Sequence, residues 1–309
     1  MQTQPSKLFV TLAILGGILA VSTSSIFIRF AQQDAPSLVV AAYRLTLASI
    51  ILAPLALTRY LPELRTITRR ELLLGLLSGF FLALHFATWI TSLEYTSVAS
   101  SVVLVTTTPL WVALLSPLIL RETSSKAAII GMLLALAGGG IVGISDSCTW
   151  QAGLICPSLS TFIRGSAFWG DFLALCGAWM AAGYIIIGRR LRAKISLIPY
   201  IFVVYGMAAI VLLVILGISG EPVIGYPPAT YLWLLLLALI PQLIGHSTFN
   251  WALRFLPASL VSVTLLGEPI GSTILAYLIL HESPTFLKIL GAILILTGIY
   301  AASAQGEKK

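Results

Sequence analysis

Ten stretches of this chain stay apolar for long enough to cross about 30 Å of hydrocarbon at about 1.5 Å per residue. They run over about 8–28, 36–57, 72–93, 98–120, 127–146, 167–187, 196–217, 230–253, 258–280 and 285–304, numbered here as spans 1 to 10. Inside hydrocarbon each backbone N–H and C=O must find its partner within its own segment or in a closed barrel. Strict apolar/polar alternation, the mark of a barrel strand, is absent, so the expected class is an all-α membrane protein.

Composition agrees. Of 309 residues, 58% are hydrophobic and 9% charged, and the mean hydropathy is +1.01. A water-soluble enzyme of this size could not hide so much apolar surface, and a disordered chain would need far more charge. Span 1 follows Lys7 and precedes the small residues Ala20 to Ser25, as a secretory signal peptide would. Its apolar run is too long for that reading, and span 6 repeats it.

The net charge of +7 suggests nucleic acid until the 18 basic residues are placed. With a cytoplasmic N-terminus, Lys7, Arg59, Arg65, Arg69, Arg70, Arg121, Lys126, Arg189, Arg190, Arg192, Lys194, Arg254, Lys308 and Lys309 all fall inside. Arg29, Arg164 and Lys288 fall outside, and Arg44 lies within span 2. The positive-inside rule therefore expects both termini in the cytoplasm and leaves no basic patch for nucleic acid. Without a long extension before Lys7, a cleaved transit peptide has no support, and a bacterial-type plasma membrane is expected.

The chain also matches itself. At an offset of 160 residues, Leu93 to Gly138 aligns with Leu253 to Gly298. Pro109 meets Pro269, Leu118-Ile119-Leu120 meets Leu278-Ile279-Leu280, Glu122 meets Glu282, Gly131 meets Gly291, and Gly138 meets Gly298. At an offset of 161, Leu12-Ala13 meets Leu173-Ala174, Gly16 meets Gly177, Ala20 meets Ala181, and Arg29 meets Arg190. Such matches at fixed spacing mark an internal repeat. Each half is one five-helix unit, residues 8–146 and 167–304, joined by an extracytoplasmic loop at 147–166. Because five is odd, the second unit enters the membrane from the opposite side. That inverted-repeat plan belongs to secondary carriers, whose substrate binds near the midplane between repeats.

Three segments carry a family resemblance: GDFLALCGAWMAAGYIIIGRRL (170–191), the Pro109 helix ending in LILRE (118–122), and GEPIGSTILAYLILHE (267–282). They resemble the two EamA repeats of the drug/metabolite transporter superfamily. The resemblance covers nearly the whole chain and implies a ten-helix carrier that exports amino acids or other small metabolites, with an arginine in span 2.

Ionisable groups at bilayer depth cost at least about 2.5–3.5 kcal/mol each, so they should face a cavity or a partner. Four qualify: Arg44, His85, His246 and Glu268. Arg44 is either a clamp for a carboxylate, suited by its planar fork of donors, or a structural tie. Glu268, just before Pro269, can exchange a proton, bind a substrate ammonium, pair with Arg44, or hydrogen-bond a neighbouring helix. It shares a four-residue stripe with Thr264 and Ser272, while Gln242, His246 and Asn250 form a second stripe in span 8. His85 and Trp89 stand four apart in span 3, as do Thr107 and Trp111 in span 4. Trp89 and Trp251 fall near span ends, where indoles often anchor to the interface, though Trp89 with His85 is also a cavity candidate; Trp111 and Trp179 lie deeper and are expected in a cavity wall.

Pro109 and Pro269 are hinge candidates or static kinks. The glycines at 131, 138, 139, 140, 143, 291 and 298 should let spans 5 and 10 pack closely, within a monomer or across a homodimer. Cys148 and Cys156 in the outer loop are either a disulfide or two free thiols, and Cys176 is a packing residue. No metal site or cofactor motif is present. An ATP-binding loop is absent, and no clustered catalytic set supports the rival reading, a membrane enzyme acting on lipid-linked substrates. The expected activity is therefore export of a small polar metabolite, preferably an amino acid, by alternating access through a central cavity.

Overall fold

In the computed structural model, residues 5–119, 126–145, 148–150, 154–156, 158–256 and 258–304 are described. Glu122 and Leu120 of the repeat match, and the basic residues Arg121, Lys308 and Lys309, lie outside the described residues.

The ten spans are helical. Span 1 is Lys7–Ser22 and Ser24–Ala31, span 2 is Ser37–Thr58, and span 3 is Arg69–Tyr95. Span 4 is Val98–Val105 and Thr108–Ile119, and span 5 is Lys126–Ser145. Spans 6 and 7 are Ser166–Arg192 and Leu197–Ser219. Span 8 is Pro228–Leu237, Ala238–His246 and Ser247–Ala252; span 9 is Ala258–Thr264, Gly267–Leu275 and Ala276–Leu280; span 10 is Phe286–Ala304. Local chemistry sets several starts. Thr68 and Glu71 form a reciprocal capping box at the head of span 3, and the Ser97 hydroxyl accepts from the Ser100 N–H at the head of span 4.

The helices are interrupted at matched places. Span 4 leaves the helix at Thr106 and Thr107, and span 9 leaves it at Leu265 and Leu266. Each resumes with its proline inside the first turn, Pro109 or Pro269, where a missing N–H costs nothing because that group has no intrahelical acceptor. Span 8 instead widens into a π-helical stretch over Ala238–His246 around Pro241.

Between the short helix Leu159–Arg164 and span 5, Thr149–Trp150 pairs antiparallel with Leu154–Ile155. This two-residue ribbon is closed by a disulfide between Cys148 and Cys156. It is a small β addition to an otherwise helical chain.

Span 3 lies against span 6 and span 8 against span 1; span 2 lies against span 7 and span 5 against span 10. Span 9 also meets span 1, and span 4 meets span 6. Exchanging the two repeats carries this set of pairings onto itself, as a two-fold relation between them generates. Small residues line the tight crossings. A side chain on Gly138 would meet the Gly291 carbonyl oxygen at 2.6 Å, and one on Gly291 would meet the Gly138 carbonyl oxygen at 2.8 Å. Both distances lie inside van der Waals contact with backbone, so only glycine permits this crossing. Large apolar side chains such as Leu19, Ile50, Leu73 and Ile218 point away from the bundle. In water they would form an aggregation surface, and in a bilayer they meet acyl chains.

Two outcomes are expected. Gly138→Val or Gly291→Val lowers stability in detergent by about 1–3 kcal/mol through overpacking, read as a fall in melting temperature. Gly140→Ala, where an added carbon meets nothing within 4 Å, causes no fall. In denatured protein that has not been reduced, maleimide labels Cys176 alone, and reduction raises the count to all three cysteines.

Candidate functional site

The interruptions in spans 4 and 9 face a central cavity. It encloses about 640 Å³ of empty space, counting its open mouth, and draws its wall from both repeats. His85, Trp89, Thr106 and Thr108 come from the first repeat; Tyr184, His246, Phe249, Asn250 and Glu268 come from the second. Backbone outside the helical ladder is tolerated at membrane depth only where it is packed in protein or lines a cavity. Both breaks meet that condition: the Thr107 N–H donates to Leu104 O at 3.1 Å, and the Glu268 N–H donates to Leu265 O at 2.9 Å.

Among the described residues, Glu268 is the one carboxylate in the cavity wall. It stands in the first turn of the helix Gly267–Leu275, and its side chain makes no hydrogen bond or ion pair among the described residues. An acid at this depth without a fixed partner is costly unless water or a ligand reaches it.

In the same wall, His85 and Trp89 stack with ring centroids 5.8 Å apart and planes 16° apart. His85 is positioned by span 6, its Nδ1 lying 2.9 Å from Gly177 O. The His246 ring stands 6.4 Å from that of His85 and 5.2 Å from that of Phe86. Trp89 is 2% exposed, and its indole N–H has no acceptor among the described residues. The Asn250 amide donates to the Tyr205 hydroxyl at 3.2 Å and to His246 O at 2.9 Å. The cavity wall thus combines aromatic rings with an acid.

Arg44 lies beside this cavity and not in its wall. It is fully buried. Its Nε donates to Gln242 Oε1 at 2.9 Å and its Nη1 donates to Ser24 Oγ at 2.6 Å. The guanidinium carbon sits 4.1 Å over the Phe86 ring centroid, a cation–π contact that closes one face of the charge. The third nitrogen, Nη2, has no partner among the described residues. These contacts join spans 1, 2 and 3 to span 8 of the second repeat. Arg44 also attracts Glu268 electrostatically and is felt by both His85 and His246.

The sequence-derived candidates therefore separate. His85, Trp89, His246, Asn250 and Glu268 line the cavity; Arg44 and Gln242 form the buried clasp behind it. The wide turn over Ala238–His246 breaks the four-residue register of the span 8 stripe, which sends Gln242 toward Arg44 while His246 and Asn250 face the cavity. Trp111 and Trp179 do not line the cavity. Their rings meet edge to face at 5.3 Å, and Trp179 is 37% exposed on the outside of the bundle. Trp179 is two residues, or about 200° of helix, from the cavity-facing Ala181, so its side chain points away from the cavity. Trp89, a cavity candidate that falls near the end of its span, stands in the wall beside His85. Tyr184, Phe249, Thr106 and Thr108 were missed; the Thr106-Thr107-Thr108-Pro109 run was the available signal, a cluster of hydroxyls before a helix-breaking proline.

At the end of the bundle bearing the disulfide, a polar network joins the two repeats. Arg29 Nη2 donates to Thr96 O at 2.9 Å and pairs with Glu282 at 3.3 Å. The other Glu282 oxygen accepts from the Val98 N–H at 2.9 Å. At the opposite end, Arg192 donates to Asn250 O at 2.9 Å, and the Ser196 N–H donates to Glu63 at 2.7 Å.

Known proteins share this plan. An uncharacterized transporter of Archaeoglobus fulgidus is 24% identical over 285 residues, covering 91% of this chain and 93% of the relative. The uncharacterized transporter YyaM of Bacillus subtilis is 25% identical over 247 residues, covering 78% of this chain and 75% of the relative. A crystal structure superposes with a TM-score of 0.67 over 98% of this chain and 100% of its own, at 20% identity, which speaks to the fold. The EamA-like transporter family matches residues 8–144 and 168–304, one match per repeat, so this chain is a membrane transporter of that family.

Proposed function

We propose that this transporter exports an amino acid from the cytoplasm by alternating access through the central cavity. The observation that carries the reading is Glu268: a carboxylate partway along span 9, in the wall of a cavity shared by both repeats, with no hydrogen bond or ion pair among the described residues. It suits the ammonium of an amino acid. The carboxylate of the same substrate lies in the field of Arg44, and the His85–Trp89 face takes the side chain. Carriers built from paired repeats bind at such a seam and switch by rocking one repeat against the other.

The cavity in this conformation draws on Leu253 and Val261, close to the Glu63 end, and the opposite end is closed by Arg29 and Glu282. With the Glu63 end in the cytoplasm, as the distribution of basic residues favours, this is an inward-facing state. The disulfide at the other end supports the same orientation, since such bonds persist in oxidising compartments.

The deciding experiment is counterflow in proteoliposomes with a mixture of labelled amino acids. Wild-type protein should accumulate label transiently, and Glu268→Gln should cut the rate by about tenfold or more, the effect of losing about 1.4 kcal/mol of charged contact. Folded wild-type protein that accumulates no amino acid would defeat the substrate assignment. If Glu268 also carries a coupling proton, transport responds to a pH gradient in the wild type and ignores it in Glu268→Gln.

The closed end makes a separate prediction. An ion pair this exposed is worth about 0.5–1 kcal/mol, so Glu282→Gln shifts the population toward outward opening by roughly two- to fivefold. Its readout is labelling of Thr106→Cys by an impermeant thiol reagent from the disulfide side, in a Cys176→Ser background. Unchanged labelling would remove Arg29 and Glu282 from the gating step.

A further inference from the structure

Span 1 carries a polar stripe that the central cavity does not use. Ser22, Ser25, Arg29 and Gln32 recur at three- and four-residue steps, so they share one face of the helix, and none of them lines the cavity. Thr23 and Gln32 keep right-handed helical angles, so the register carries through the brief interruption at Thr23. The stripe meets the second repeat along span 9. Ser272 Oγ donates to Ser22 O at 3.1 Å, and Arg29 pairs with Glu282 at the disulfide end. Gly271 and Ser272 follow Glu268 by about one turn and stand outside the cavity wall, so the stripe begins where the cavity stops.

Beside Glu268 and toward the disulfide end, spans 1 and 9 touch directly. A carbon added to Gly267 would meet Ile18 Cγ2 at 2.7 Å, and one added to Gly271 would collide with the Ser22 side chain. Yet this tight seam leaves its polar groups poorly satisfied. Ser25 is fully buried, and its Oγ has no partner among the described residues; nor have Arg29 Nε and Gln32 Oε1, both shielded from water. Polar atoms left unpaired in register along one helix face cost stability, and an apolar face would seal the same seam without that cost. Hydration in a second state, with the seam parted, accounts for them. The other faces of this segment are already engaged: Ser24 is held by Arg44, and Phe27 and Phe30 stack on Trp233.

We propose that the seam between spans 1 and 9 is the path by which substrate leaves Glu268 for the disulfide side, lined by Ser22, Ser25 and Gln32 and latched at its far end by Arg29. The assignment rests on the alternating-access reading. In the present state the cavity reaches Glu268 from the Glu63 end and the seam is shut. When span 1 parts from span 9, hydroxyl, guanidinium and amide groups form a wetted ladder from Glu268 outward.

Thiol accessibility in vesicles, with an impermeant reagent on the disulfide side, tests this. Ser25→Cys supplies the one free thiol in a Cys176→Ser background, with the disulfide left intact. Gly271→Ala wedges the closed seam and should speed labelling of Ser25→Cys by about fivefold or more, since the overpacking penalises the closed state alone. Ser22→Gly removes the atoms that the wedge strikes and should return the rate to its starting value, a rescue that general loosening would not show. Ala31→Cys, equally buried on another face of the helix, should stay unlabelled throughout. Labelling of Ser25→Cys that ignores Gly271→Ala, that Ser22→Gly does not reverse, or that Ala31→Cys matches overturns the exit path. If Thr106→Cys is still labelled from that side, alternating access stands and substrate leaves by another route. If neither Ser25→Cys nor Thr106→Cys is ever reached from that side, the alternating-access reading falls as well.

Discussion

Hydrocarbon offers a backbone amide nothing to bond to, and every feature of this protein follows from how it meets that demand or departs from it. Ten helices satisfy it internally. The departures at Thr106 and Thr107, at Leu265 and Leu266, and over Ala238–His246 all sit where the freed groups turn toward the cavity or the protein interior. An unpaired carbonyl facing lipid would cost several kcal/mol. The same departures facing a cavity cost little and place Thr108 and Glu268 at helix starts in the wall. The breaks in spans 4 and 9 thus help to build the site, while the second wide turn, Ala276–Leu280, lies outside it.

A buried guanidinium holds the centre together. Removing Arg44 from water is expensive, and its cost is met by Gln242, Ser24, the Phe86 ring and the field of Glu268. Because these partners come from four different spans and both repeats, the charge also fixes how the repeats meet. The arrangement keeps a cation close to the cavity without presenting it to the cavity. A substrate sees an acid and aromatic rings directly, and the arginine through its field.

Much of this was legible in the sequence. Span positions, the repeat and the resemblance all came from apolar run lengths and from punctuating residues such as Pro109, Pro269, Gly138 and Gly291, whose roles are local or steric. The depth of each polar residue was equally legible, so His85, His246, Asn250 and Glu268 were recognised as requiring an interior environment. Their faces were harder. A helix period of 3.6 holds only while the helix is regular, and the wide turn around Pro241 rotated Gln242 away from its stripe. Trp111 and Trp179 stand outside the cavity for a related reason: counting along a span gives position along the helix, while the partner helix decides which side is inside.

The sequence by itself determined that the chain spans a membrane as helices, that its halves repeat, and that a few polar groups must find partners in hydrocarbon. These are one-dimensional consequences of run length, period and transfer cost. Tertiary structure alone decided that Arg44 is clasped behind the cavity, that Glu268 stands in the cavity wall without a hydrogen bond among the described residues, and that Arg29 reaches Glu282. Each of these depends on residues distant in the chain meeting at a few ångströms, and contact of that kind is set by how helices cross and rotate, which no local pattern encodes.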